Sequence, residues 1–229
     1  MTLTLTKNEK IGGWLFLLLY LYGVPFAAAL VCDLLHAGSV AIINLVCFYT
    51  NALLAILFFR KSLNKSLYIA EQDWLGTIRV AASGFGLYWA VNVAVNTLIL
   101  FIDPHFTNVN DQNIGGMIAE APVLMHVALI VAAPLAEECL FRGWLFTGLA
   151  EKNVPLAYIV TCGFFSAAHV VSYIGSYEPL TLVLCFLQYL GPSFALCWTC
   201  RENDSLIAPL LLHMSINAIS CALMPLTGG

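Results

Sequence analysis

The chain has 229 residues, of which 61% are hydrophobic and only 10% are charged. A soluble domain is nearer half apolar and a quarter charged, so this balance excludes the soluble globular class and indicates an integral membrane protein. The net charge of −4 comes with no basic stripe, which excludes a nucleic-acid partner, and the length allows one helical bundle without a further soluble domain, so residues 1–229 read as a single transmembrane domain.

Apolar stretches of about 20 residues, enough to cross a bilayer, predict helices near 11–31, 38–59, 78–102, 117–151, 155–175, 179–200 and 205–224. The fold class is therefore all-α: a polytopic transmembrane helix bundle of about seven spans, with eight as the alternative. Lys7 and Lys10 before the first run resemble a signal peptide, but the run is too long for one and reads as a retained helix. Residues 60–77 and 103–116 are the longest polar segments and read as loops. The stretch 117–151 is too long for one straight span, so a kink at Pro122 or Pro134, or a projecting end, is expected.

Lys7, Lys10, Arg60, Lys61, Lys65, Arg79, Lys152 and Arg201 all fall in alternate connections. The positive-inside rule then places the N-terminus in the cytoplasm and the C-terminus outside. The eight cysteines are scattered through apolar runs and form no disulfide framework. Cys197-Trp-Thr-Cys200 fits a redox spacing without the strand–helix context such a motif requires. The five tryptophans read as interface anchors or packing, and Asn92 and Asn96, on one face of the third helix, as interhelical hydrogen-bonding groups.

Within the fourth run lies Pro134-Leu-Ala-Glu-Glu-Cys-Leu-Phe-Arg-Gly143. Charges at that depth are expensive, and an intramembrane ionisable cluster is a functional site by default. Glu138 and Arg142 are spaced i, i+4 with the acid first, the favourable order for an ion pair on one helical face. Glu137 is offset by about 100° on a 3.6-residue helix and must find its partner on another helix. Phe165 and His169 form a second i, i+4 pair, and His213 and Asn217 a third. The fourth and fifth helices turn near Asn153, from which Glu137 and His169 are equally far along the chain, so the two are expected to face each other. A desolvated glutamate can serve as general base toward water, with a histidine sharing the proton work. Histidine and asparagine side chains can donate to an oxyanion.

Glu-Glu-x-x-x-Arg at 137, 138 and 142, Phe-x-x-x-His at 165 and 169, and His-x-x-x-Asn at 213 and 217 occur in order on successive helices. In this the chain resembles the CPBP family of CAAX proteases and bacteriocin-processing enzymes, also called the Abi family, which includes the type II CAAX prenyl endopeptidases. The resemblance covers about residues 117–224, which would be the catalytic helices. It implies a glutamate-type intramembrane endopeptidase acting on a membrane-associated, prenylated or leader peptide. Glu137 and His169 would activate water, His213 and Asn217 would stabilise the oxyanion, and Glu138, Arg142 and Phe165 would be structural support. No cofactor is implied by this mechanism. The alternative is zinc held by Glu137, His169 and His213, residue types that ligate it, although no H-E-x-x-H signature is present.

The expected partners are a peptide or protein substrate at the membrane and the lipid bilayer, with cleavage near the cytoplasmic side. The short chain points to a prokaryotic plasma membrane. Two rival readings remain. One is a non-enzymatic bacteriocin-immunity or membrane scaffold protein that binds a peptide or partner in the same cavity. The other is a proton-coupled transporter, for which no paired halves are visible.

Overall fold

A computed structural model describes residues 3–227, and the side chains of residues 3–223. Among the described residues there is no strand, and the helices are α1 (Lys7–Leu34), α2 (Val40–Gln72), α3 (Trp74–Ile102), α4 (Val109–Glu120), α5 (Pro122–Ala150), α6 (Val154–Tyr173), α7 (Pro179–Asn203) and α8 (Ile207–Thr227). Six of them, all but α4 and α8, are long and apolar enough to cross a membrane, and the apolar stretch Ile207–Leu223 of α8 is shorter. The all-α polytopic bundle is thus observed.

Two boundaries differ from the sequence expectation. Residues 60–72 are not a loop, because α2 continues to Gln72 through a kink at Phe59 (φ −112°, ψ 20°). Its 33 residues span roughly 50 Å at 1.5 Å per residue, well beyond a hydrocarbon core of about 30 Å. The extension is held by buried Ser62, Ser66 and Ala70, one face at i, i+4 spacing. The second difference is at 117–151, which is two helices. Ala121 leaves the helical region (φ −139°, ψ 68°) and Pro122 opens α5, as expected where a proline disfavours helical geometry in the preceding residue and fits the first helical turn. The polar segment 103–116 accordingly contains most of α4, capped by the Asn108 side chain, which accepts from the Asn110 and Asp111 amides.

α5 is the central helix. In its most apolar window 61% of residues are buried, against 6% for α3. It packs on α1, α2, α6 and α8, while α7 lies between α3 and α6. Large apolar side chains such as Phe26, Phe101 and Val123 point outward, as lipid-facing residues do.

The basic segments meet at one end. Lys10 pairs with Glu151 at 2.6 Å, and the Leu3 amide donates to Asp204. Ser205 Oγ donates to the Ser66 carbonyl, and the Leu206 amide donates to Ser66 Oγ. Glu9 is buried at this end and fully used. Oε2 accepts from the Thr6 amide and hydroxyl in a capping box, and Oε1 accepts from the Ser62 amide and hydroxyl. Trp144 packs edge-on against Trp14, and its indole N–H donates to the Lys10 carbonyl.

Candidate active-site cavity

α5 is wound in two wide turns where residues bond five back rather than four, at Ala128–Ala132 and Glu138–Phe146. Such π-helical turns are uncommon and concentrate at functional sites. The first has a cause in the sequence. The Ala133 N–H donates to Ala128 O, and Pro134 has no N–H, so neither residue supplies the buried Leu129 carbonyl. Asn217 on α8 does: its Nδ2 donates to Leu129 O at 2.8 Å.

The second wide turn begins at the paired glutamates. Arg142 Nη1 donates to Glu138 Oε1 at 3.0 Å, and both side chains are buried. Arg142 Nη2 donates to Ser193 Oγ at 3.0 Å on α7, and the guanidinium carbon lies 4.4 Å from the Phe165 ring centroid. A buried cation needs such compensation, because either partner left alone would carry an unpaired charge in a low-dielectric interior. The pairing is end-on, with Glu138 Oε2 and Arg142 Nε buried and without a hydrogen-bond partner among the described residues.

Glu138 Oε1 also lies 2.7 Å from His213 Nδ1. With Glu138 ion-paired, its oxygen can only accept, so Nδ1 carries the proton and Nε2 is left toward the cavity. There Nε2 lies 3.8 Å from Glu137 Oε2. Tyr20 on α1 donates to Glu137 Oε1 at 3.3 Å. His169 Nδ1 lies 2.8 Å from the Phe165 carbonyl, which again can only accept, so Nε2 is the free nitrogen. The ring stacks on Tyr189, with centroids 4.2 Å apart.

Glu137, His169, His213, Asn217 and Phe165 all line one cavity of about 640 Å³, within the range of small-ligand sites. The structure thus brings the predicted residues together but changes their pairings. Glu137 meets Tyr20 and His213, and no hydrogen bond or ion pair joins it to His169. Asn96 accepts from Gln188 on α7, an interhelical bond. The remaining lining comes from Val40, Asn44, Asn108, Asp111, Tyr173 and Ser220 among others, residues at the helix ends opposite the basic segments. All eight cysteines are free thiols, Cys197 and Cys200 included. No three His, Cys, Asp or Glu side chains among the described residues are grouped to hold a metal ion. In this arrangement Glu137, His169 and His213 line the cavity without being drawn together as a metal-ligand set.

Tyr20, Tyr189 and Ser193 were not found from the sequence. Tyr20 is 117 residues from Glu137, and a phenol in an apolar run carries no spacing signal.

A polytopic helical membrane protein with a polar cavity built on adjacent buried glutamates and two histidines is the class these observations define. Within it, residues 119–219 match the model of the family described as type II CAAX prenyl endopeptidase, Rce1-like, which bears out the resemblance read from the three motifs and contains all of their residues. The chain is also 24% identical over 129 residues to the UPF0177 protein YxdF of Lactococcus lactis subsp. lactis, an alignment covering 56% of this chain and 66% of that protein. The chain thus spans just under two thirds of that relative's length. No solved structure matches.

Proposed function

We propose that this protein is an intramembrane endopeptidase that hydrolyses a peptide bond of a membrane-associated, prenylated or leader peptide, by a glutamate-type mechanism without a metal. The observation that carries the reading is the convergence of Glu137, His169 and His213 on one cavity inside the segment matched to a protease family. Water bound beside Glu137 loses a proton to Oε2 as its oxygen bonds the scissile carbonyl carbon. Tyr20 holds the other carboxylate oxygen and fixes the orientation of the base. His169 Nε2 takes part in relaying the proton, which ends on the departing amine as the C–N bond breaks. His213 is oriented by Glu138, much as a carboxylate fixes an imidazole in other hydrolytic sites; in its imidazolium form, held between the two glutamates and unchanged through the cycle, its Nε2–H donates to the oxyanion. The second N–H of the Asn217 amide is a further oxyanion donor, since the first is committed to Leu129.

The distribution of basic residues supports a cytoplasmic basic end, and a prokaryotic plasma membrane is the proposed location. The test is cleavage of candidate membrane peptides by purified protein. Loss of turnover of at least a hundredfold in Glu137→Gln and in His169→Ala, with folding retained, is expected from removing a general base. Full cleavage by both variants sinks the assignment. Full biological activity without any cleavage favours the immunity or scaffold reading.

A further inference from the structure

The cavity changes chemistry along its length. Glu137, His169 and His213 lie at its inner part, and its outer part is walled by α4 and α7. There the amides are committed to neighbours. Asn108 Nδ2 donates to Gln188 Oε1 at 2.6 Å. Asn110 Nδ2 donates to the Tyr189 hydroxyl at 3.0 Å, and the Tyr173 hydroxyl donates to Asn110 Oδ1 at 3.1 Å. These bonds fix α4 against the wall and tie it to Tyr189, the residue stacked on His169.

Asp111 lines the same cavity and is not so committed. Its carboxylate makes no hydrogen bond or ion pair among the described residues, and no lysine or arginine lines the cavity. The titratable groups around it are the phenols of Tyr88, Tyr173 and Tyr189 and the thiols of Cys185 and Cys221, none of them cationic. A place in the first turn of α4 makes an acid acceptable to the helix dipole, but it does not explain an unpaired carboxylate on the wall of the cavity. Asp111 is exposed at its own surface, and the protein packed around it still raises its carboxyl from the ordinary 3.8 to about 6 by desolvation. It is outside the membrane-spanning helices and still ionised at neutral pH. An unpaired negative charge on the wall of a cavity concentrates the local field and selects for positive ligands.

We propose that Asp111 forms a specificity subsite that takes a lysine or arginine side chain of the peptide lying past Glu137. This rests on the peptide-cleaving reading of the cavity for its substrate class. Asp111 confers selectivity here and takes no part in the bond-breaking step. The peptide it favours is apolar with one basic residue at a fixed distance from the scissile bond, which enters the cavity from the end opposite the basic segments.

The experiment uses fluorescent apolar peptides, each with one lysine at a different position, and their glutamine and glutamate counterparts. Cleavage is measured with the wild type, Asp111→Asn and Asp111→Lys. Binding is measured by anisotropy in the Glu137→Gln background, with and without the same Asp111 substitutions. We expect one lysine position to be favoured over glutamine by tenfold or more. Asp111→Asn then removes the preference, and Asp111→Lys shifts it to glutamate. An unchanged lysine preference in folded Asp111→Asn, in cleavage and in binding, overturns the proposal, as does the absence of any preference in the wild type. If peptides bind with an Asp111-dependent preference but none is cleaved, the subsite stands and the protease reading falls. If peptides are cleaved without charge preference, the subsite falls and the protease reading stands.

Discussion

Asn217 has a structural duty that can be separated from its proposed catalytic one. The Leu129 carbonyl is buried and receives its hydrogen bond from Asn217 Nδ2 at 2.8 Å, because the wide turn sends the Ala133 N–H to Ala128 and Pro134 has none to give. Asn217→Ala leaves that carbonyl unpaired. Orphaning a buried acceptor costs about 1–3 kcal/mol, and interhelical polar contacts in membranes run to about 0.6–1.7 kcal/mol, so a loss of about 1–2 kcal/mol is expected. At roughly 2–4 °C per kcal/mol for a chain of this size, the purified protein in detergent melts about 2–8 °C lower. Pro134→Ala restores an N–H that can reach Leu129, or lets the turn rewind so that the Ala133 N–H returns to it. Asn217→Ala should therefore be less destabilising in the Pro134→Ala background than in the wild type. If Asn217 also donates to an oxyanion, kcat falls about 10²–10³-fold on its removal, and Pro134→Ala does not restore it. Equal destabilisation by Asn217→Ala in both backgrounds, or none in the wild type, refutes the account of the Leu129 carbonyl.

Glu138→Leu strips the buried Arg142 of its counter-charge and His213 of its acceptor. A loss of about 3–5 kcal/mol is expected, read as a fall in melting temperature together with activity. Glu138→Leu combined with Arg142→Met removes both charges, so stability recovers toward the wild type while turnover does not, since His213 stays unoriented. Asp111 supplies a pH test. Its folded pKa of about 6 lies above the ordinary 3.8, so the folded state prefers the protonated form. The resulting stability is present below pH 3.8 and is lost as pH rises through 6. Asp111→Asn should therefore melt higher than the wild type at pH 7.5, with the difference shrinking as pH falls below 6. A constant difference across pH rejects this assignment.

The helical bundle was legible because span-length apolar runs are a strong signal, and the three motif pairs were legible because i, i+4 spacing survives in the fold. The ion pair of Glu138 and Arg142 formed as the spacing required. The continuation of α2 past Phe59 was not, since 60–72 reads as polar by composition while one thin face, Ser62, Ser66 and Ala70, is buried. The partner of Glu137 was missed for a different reason. A phase of 3.6 residues per turn does not hold across a segment that is π-wound from Glu138 onward, and the neighbouring hairpin is only part of what surrounds Glu137. Tyr20 and His213 approach from helices distant in sequence. The role of Asn217 was half visible: Pro134 flags a missing N–H, but which carbonyl is orphaned depends on the wide turn at Ala128–Ala132.

The gathering of Lys10, Glu151, Asp204 and Ser66 at one end of the bundle, with the cavity lined from the other, gives the molecule a sidedness. A charged inhibitor or peptide that cannot cross lipid would act from one compartment only. In right-side-out and inverted vesicles the same protein would be blocked in one population and untouched in the other, so a single pair of membrane preparations reports which compartment supplies its substrate.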